Sequence, residues 1–265
     1  MKLALSKKEI ESELANRFGS EFRLRENSSA ELMPTGVSEI DRITGGIPRG
    51  AITEILGYAS SGRTSLLHSA LAVSTARQEV CALVDTSDAF DAISSAYAGT
   101  DFDQLLWIRC GSNVDHAIKA TDLVLQSGGF GFVAMDLGDV PSQQSRRIPL
   151  TWWYRFRRAI ENTPTALVVI SRDPNPRSCA SLVLNLSRES IEWSRPAMDP
   201  ASKEIPTCAN LLGGFRLHVE RCKPVCLEQR EVSFEAKSCH NKLNQPDSRS
   251  VITHQYSNQT QIAGD

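Results

Sequence analysis

The chain has 265 residues, with 29 basic and 31 acidic side chains and a formal net charge of −2. This length suits one α/β domain of about 200 residues plus ends, and the balanced charge leaves any nucleic-acid footprint to local clusters. Seven cysteines without a framework point to a reducing compartment; with no apolar run near the ~18 residues of a membrane span and a start too short for a signal peptide, a cytoplasmic protein is expected.

The first element is a capped helix. Ser6 stands at the N-cap, Glu9 three residues on, and Gly19 at the far end. Its apolar residues Ile10, Leu14 and Phe18 form a narrow stripe, so the helix is expected to dock on its own body or on a partner. Residues 25–34 are polar and read as a linker, and residues 35–50 as a short helix, a Gly45-Gly46 stop and a turn. The β-branched run from Ile52 then turns through Gly57-Tyr58-Ala59-Ser60-Ser61-Gly62-Arg63-Thr64-Ser65 into a helix.

Gly57, Gly62 and Thr64 satisfy the phosphate-loop pattern GxxxxGK[ST], with Arg63 in the lysine position. In that pattern, glycines let backbone N–H groups close around phosphate at a helix N-terminus, the lysine reaches the outer phosphates and the hydroxyl binds Mg²⁺. Arginine keeps the charge but replaces a compact ammonium by a wide planar fork.

Continuous apolar runs ending at Asp85, Arg109, Asp136 and Ser171 alternate with helical stretches at 116–127 and 149–161. Such alternation predicts a mostly parallel sheet flanked by helices, with ligands at the carboxyl ends of the strands, where Gly57, Asp85, Asp136 and Ser171 fall. Asp85, Asp88 and Asp91 gather on that side, and His68 reads as a packing or surface residue. After residue 181 only strands are expected, at 182–186, 191–193, 215–219 and 232–234, as added antiparallel edge strands. Residues 194–213 read as a polar connection. The expected division is 1–34 as helix and linker, 35–236 as the core, and 237–265 as a polar tail with the composition of a disordered segment.

The run Trp152-Trp153-Tyr154-Arg155-Phe156-Arg157-Arg158 mixes aromatics and arginines as single-strand binders do. On a helix, Trp152, Phe156, Ala159 and Ile160 share a face, with Trp153 at its margin, and this predicts core packing. Arg155, Arg157 and Arg158, with Arg146 and Arg147 nearby, are left as candidates for phosphate or an acidic partner. Cys222, Cys226 and Cys239-His240 have poor spacing for a tetrahedral zinc site, and no metal site is expected.

Together these stretches resemble bacterial RecA from about residue 8 to 236. The resemblance runs through Phe18-Gly19, Thr35-Gly36, Gly45-Gly46-Ile47-Pro48-Arg49-Gly50, Glu54-Ile55-Leu56-Gly57, Ser60-Ser61-Gly62 with Thr64, Cys81–Asp85, Asp103-Gln104-Leu105-Leu106 and the strand ending at Asp136. It implies a RecA-like P-loop NTPase fold and a site for ATP and Mg²⁺ built from Gly57, Ser60, Ser61, Gly62, Arg63, Thr64, Ser65, Asp91 and Asp136. It also shows departures. The family's catalytic glutamate falls on Ser87, its adenine-stacking tyrosine on Ser94, and its γ-phosphate sensors on Ser171-Arg172, so a vestigial or weak nucleotide site without catalytic residues is expected.

The family's two DNA loops correspond to shortened segments at 138–147 and 173–177, adding Arg172 and Arg177 to the candidate DNA or partner contacts. Its inter-subunit phenylalanine aligns with Ser178. Retained fold with reduced catalysis is similar to the ImuA group of RecA-like accessory proteins in the DNA-damage response. That similarity implies an inactive Y-family polymerase subunit as partner, with RecA the other candidate, while the shortened loops imply weak single-stranded DNA binding and Ser178 a monomer or small oligomer. The alternatives are an active RecA-like DNA-dependent ATPase or recombination regulator, and a RecA-binding inhibitor or cell-division regulator.

Overall fold

A computed structural model of the chain describes residues 31–194, 211–224 and 231–237. The expected N-terminal helix with Ile10, Leu14 and Phe18, and the tail from residue 238, lie outside these residues, as do Cys226, Cys239 and His240. The chain opens with β1 (Leu32–Met33), α1 (Ser38–Thr44), β2 (Ile47–Pro48), β3 (Ile52–Gly57), α2 (Arg63–Ala76), β4 (Cys81–Asp85), α3 (Ala92–Ala98) and β5 (Leu105–Arg109). It continues through α4 (Val114–Ser127), β6 (Phe132–Leu137), α5 (Ser142–Ser145), α6 (Leu150–Ile160), β7 (Ala166–Ser171), β8 (Ala180–Ser194), β9 (Leu211–Lys223) and β10 (Glu231–Lys237).

Among the described residues the strands form an eight-stranded sheet of order β10-β9-β8-β3-β7-β6-β4-β5. From β8 to β5 every pair is parallel, and β9 and β10 are added antiparallel. The expected α/β architecture with antiparallel edge strands is therefore present. β4 shows why the runs are continuous: Cys81 and Leu83 pack into one core while Ala82 and Val84 pack into the other, across the sheet. No helix among the described residues is long and apolar enough to cross a membrane.

Four local expectations need correction. The linker ends in a strand: Leu32 and Met33 pair with Pro48 and Ile47, and Met33 is fully buried, its sulfur accepting a hydrogen bond from Ser74 Oγ at 3.1 Å. One apolar residue in a polar stretch carries no periodicity, so the sequence conceals it. The two strands expected at 182–186 and 191–193 are one strand, β8, kept continuous across its polar middle by register shifts opposite β9. Helix α3 has no apolar stripe to announce it; it is set by Asp91, whose carboxylate caps Ile93 N at 3.0 Å, and by left-handed Gly99.

The fourth correction concerns the tryptophans. Trp153, Phe156 and Ile160 form the buried face of α6, while Trp152 is only half-buried at its margin. The spacing i, i+3, i+7 fits the stripe as well as the one centred on Trp152, and the sheet selects it. Trp153 meets Phe156 edge-on at 5.7 Å, whereas Trp152 lies under Arg155 at 5.6 Å. Replacing Trp153 by Ala should cost roughly 3–5 kcal/mol in urea denaturation, and Trp152→Ala less than about half of that. Equal losses would place both rings in the core.

Candidate functional site

β3 ends at the carboxyl edge of the sheet beside β7 and β8, with Leu56 opposite Ser171 and Gly57 opposite Leu186. The same edge carries Asp85 and Asp136 as direct partners on β4 and β6. From Gly57 the chain turns back tightly. A Cβ at Gly57 would sit 2.3 Å from Ser61 Oγ, and one at Gly62, which is left-handed, would sit 2.7 Å from Leu217 of β9. Helix α2 then starts with no side-chain cap and no acid in its first turn, so its first amides remain free for an anion. Ser61 Oγ is buried and has no hydrogen-bond partner among the described residues.

Arg63 is tied to the segment after β6. Its side chain is buried, and Nη1 donates to the Gly138 carbonyl at 3.3 Å. Gly138 is wedged between two groups: a Cβ there would lie 2.9 Å from Asp136 Oδ1 and 3.3 Å from Arg63 Nη1. Asp136 Oδ1 accepts from Gly138 N at 2.7 Å. Burial lowers the guanidinium pKa, opposed by the charges of Asp136 and Asp139. Burial also lifts the Asp136 carboxyl to about 6, against the Gly138 hydrogen bond. The loop fits a phosphate group, given its free amides and orphaned Ser61 hydroxyl. The acidic side does not fit Mg²⁺ equally well, because Asp136 is already engaged by an amide and faces a fixed cation.

The remaining acids are structural. Asp85 accepts from Ala89 N, Phe90 N and Trp107 Nε1 at 3.0, 3.1 and 3.2 Å. Asp91 is spent on capping α3 and on Ser94 Oγ at 2.5 Å, and Asp88 pairs with Arg109 at 3.4 Å. Asp91 thus caps a helix beside the site rather than lining the loop's pocket. His68 is buried edge-on against Phe90 at 5.3 Å, the first of the two places, packing or surface, expected for it. Ser87 has no carboxylate with which to polarise water, and Ser94 sits exposed on α3.

Three loops at this edge hold one another. Arg63 joins the phosphate loop to the segment after β6, and Arg146 of that segment pairs with Asp173 of the segment after β7 at 3.0 Å. Arg172 in turn lies 5.0 Å over the ring of Tyr58 in the phosphate loop. The Ser142 hydroxyl and then Arg146 hold the Asp173 carboxyl below its usual range. Of the other candidate arginines, Arg155 is taken by a bidentate bond to Asp122 at 2.5 and 2.7 Å. Arg157 and Arg158 are exposed in the last turn of α6, Arg147 lines a hollow of about 430 Å³ at the start of α4, and Arg177 opens the short turn before Ala180.

A residue the sequence reading passed over is Glu54, an acid within the apolar run of β3. It is 1% exposed, and Oε1 accepts from Asn175 N at 2.6 Å and Ser171 Oγ at 3.4 Å. Burial raises its pKa to about 7, against those two hydrogen bonds. A charged residue inside a continuous hydrophobic strand was the available signal. Glu54 anchors the segment after β7 from below, as Arg146 does from above.

The chain's residues 2–141 match the family model described as the RecA N-terminal domain. It is similar to Protein RecA of Cutibacterium acnes, 34% identical over 122 residues, and to Protein RecA of Brucella anthropi, 33% identical over 123 residues. Protein RecA of Symbiobacterium thermophilum is 35% identical over 123 residues. Each alignment covers 44% of this chain, and the matched part spans only about a third of those relatives, 35%, 34% and 35%. The phosphate loop and both acidic strands fall inside the match, and β7 to β10 fall beyond it.

Glu54 gives the fold a pH dependence of definite sign. Its folded pKa of about 7 lies above the ordinary 4.5, so the fold favours the protonated form. The margin is complete below about 4.5 and is lost as pH rises through about 7. Wild type should therefore lose on the order of 1–3 kcal/mol of unfolding free energy between about pH 5 and 8 relative to Glu54→Gln. Parallel stability curves for the two proteins would show that Glu54 does not titrate in this range.

Proposed function

Because the chain belongs to the RecA N-terminal domain family, we propose that it is a RecA-like accessory protein of DNA repair that acts through protein contacts rather than ATP turnover. The observation that carries this reading is Arg63, which stands where the phosphate-binding lysine belongs and spends its guanidinium on the Gly138 carbonyl. A cation so held cannot follow charge developing on a transferring phosphate. Serine at position 87 supplies no base to orient water, and the acids at the ends of β4 and β6, Asp85 and Asp136, are bound to backbone amides.

The finer reading is an ImuA-like role in damage-induced translesion synthesis. In it an inactive Y-family polymerase subunit, and RecA second, would bind the N-terminal stripe Ile10, Leu14 and Phe18. DNA contact is then a minor property. Arg146 and Arg155 are neutralised by Asp173 and Asp122, which leaves Arg147, Arg157 and Arg158 to give weak, salt-sensitive binding.

ATP turnover by the full chain should not exceed that of a variant lacking residues 57–65; clear excess turnover would overturn the non-hydrolysing reading. Arg63→Lys should raise ATP affinity about tenfold, because an ammonium released from Gly138 can reach phosphate with a charge-assisted bond. Unchanged or weaker affinity would make Arg63 a working ligand. Deleting residues 1–20 should abolish capture of the polymerase subunit, and capture that survives would move the contact to the folded body.

A further inference from the structure

The apolar face of the antiparallel strands runs on past its own cover. Val232, Val219 and Leu186 lie abreast in the core, and the rows outward from them are Phe234, Leu217 and Arg188, then Ala236, Phe215 and Ile191. A register shift between Arg188 and Ser190 keeps Ile191 on the core face. The next row has only Leu212 and Trp193, because among the described residues β10 ends at Lys237, opposite Gly214. Trp193 is 59% exposed, Leu212 41% and Ile191 37%. With Phe215 and Arg188 they form the outer wall of a hollow of about 370 Å³ whose inner wall is Ser60–Ser65. Large apolar side chains left open side by side, as a continuation of the core, mark a docking face rather than scattered surface residues.

We propose that this face seats a segment of the chain's own tail, Val251-Ile252-Thr253-His254-Gln255-Tyr256. The chain leaves β10 at the patch itself. Lys237 pairs with Gly214 and Gly214 with Glu192, next to Trp193, so the end of β10 stands two strand spacings, about 10 Å, from the open row. Residues 238–250 are mainly polar, and a flexible span of that length has a root-mean-square reach of roughly 20 Å, ample for the crossing. Val251, Ile252 and Tyr256 are the densest group of large apolar side chains after Lys237, and the β-branched Val, Ile and Thr suit an extended segment laid on a sheet face. A segment so tethered acts at an effective concentration on the order of millimolar, which favours it over a second copy at ordinary protein concentrations. The contact lies at the other end of the chain from Ile10, Leu14 and Phe18, and it holds or fails independently of the accessory role proposed above.

The test places a benzophenone photo-crosslinker at position 256 of the full chain. Irradiation of dilute protein should give an adduct within one chain that maps to Trp193, Leu212 or Phe215, and the adduct should fall to background in the double variant Val251→Asp, Ile252→Asp. Both positions lie beyond β10, so the variant leaves the strands as they are. Without the crosslinker, the indole N–H resonance of Trp193, assigned by its loss in Trp193→Phe, should shift between the native sequence and the same double variant. An adduct that joins two chains would give the face to a second copy and overturn the proposal. An adduct that maps away from these strands, no adduct above background, or an indole resonance unmoved by the two aspartates overturns it as well.

Discussion

The lateral pairing of β3 is the constraint on which the rest depends. All six of its residues are buried, and it hydrogen-bonds to a parallel strand on each side. A buried backbone has no water to fall back on, so the strand ends only where its neighbours release it, at Gly57 against Leu186. The turn that follows is closed by Leu186 and Leu217 from below, which is why Gly57 and Gly62 cannot carry a side chain. Glu54 is tolerated in this setting because two donors from the neighbouring segment meet it, at the cost of a carboxyl that resists ionisation.

The exchange of lysine for arginine shows how one residue can redirect a site without disturbing its frame. The loop keeps its glycines, its free amides and its helix start. The longer, planar cation reaches beyond the phosphate seat to the Gly138 carbonyl, and a guanidinium with several donors is held by a carbonyl in a way that a strongly hydrated ammonium is not. Asp136 then faces a permanent counter-charge, and the acidic strand becomes part of the scaffold.

The parallel core was legible because its strands are uninterrupted apolar runs, and the carboxyl-end placement of Gly57, Asp85, Asp136 and Ser171 followed from it. What stayed hidden has a common cause. Met33, α3 and the continuity of β8 are fixed by single buried atoms, a cap and cross-strand register, none of which has a period. The choice of Trp153 over Trp152 turns on which of two equally good stripes the sheet accepts. At the site, the loop was readable from spacing and the missing lysine from one letter. The pairing of Arg155 with Asp122, 33 residues away in sequence, exists only in three dimensions. So does the approach of the end of β8 to the loop, since Trp193 and Ser61 line one hollow but share no local pattern.

The three-way tie among the loops has a sense of order built into it. Arg146 is 62% exposed where it meets Asp173, so mobile ions compete for that pair. Arg63 on Gly138 is shielded by burial, and ions reach it poorly. Rising ionic strength therefore unfastens the outer clasp while the inner one persists. The two shortened loops part company while the segment after β6 stays fastened to the phosphate loop, and the edge opens from its rim inward.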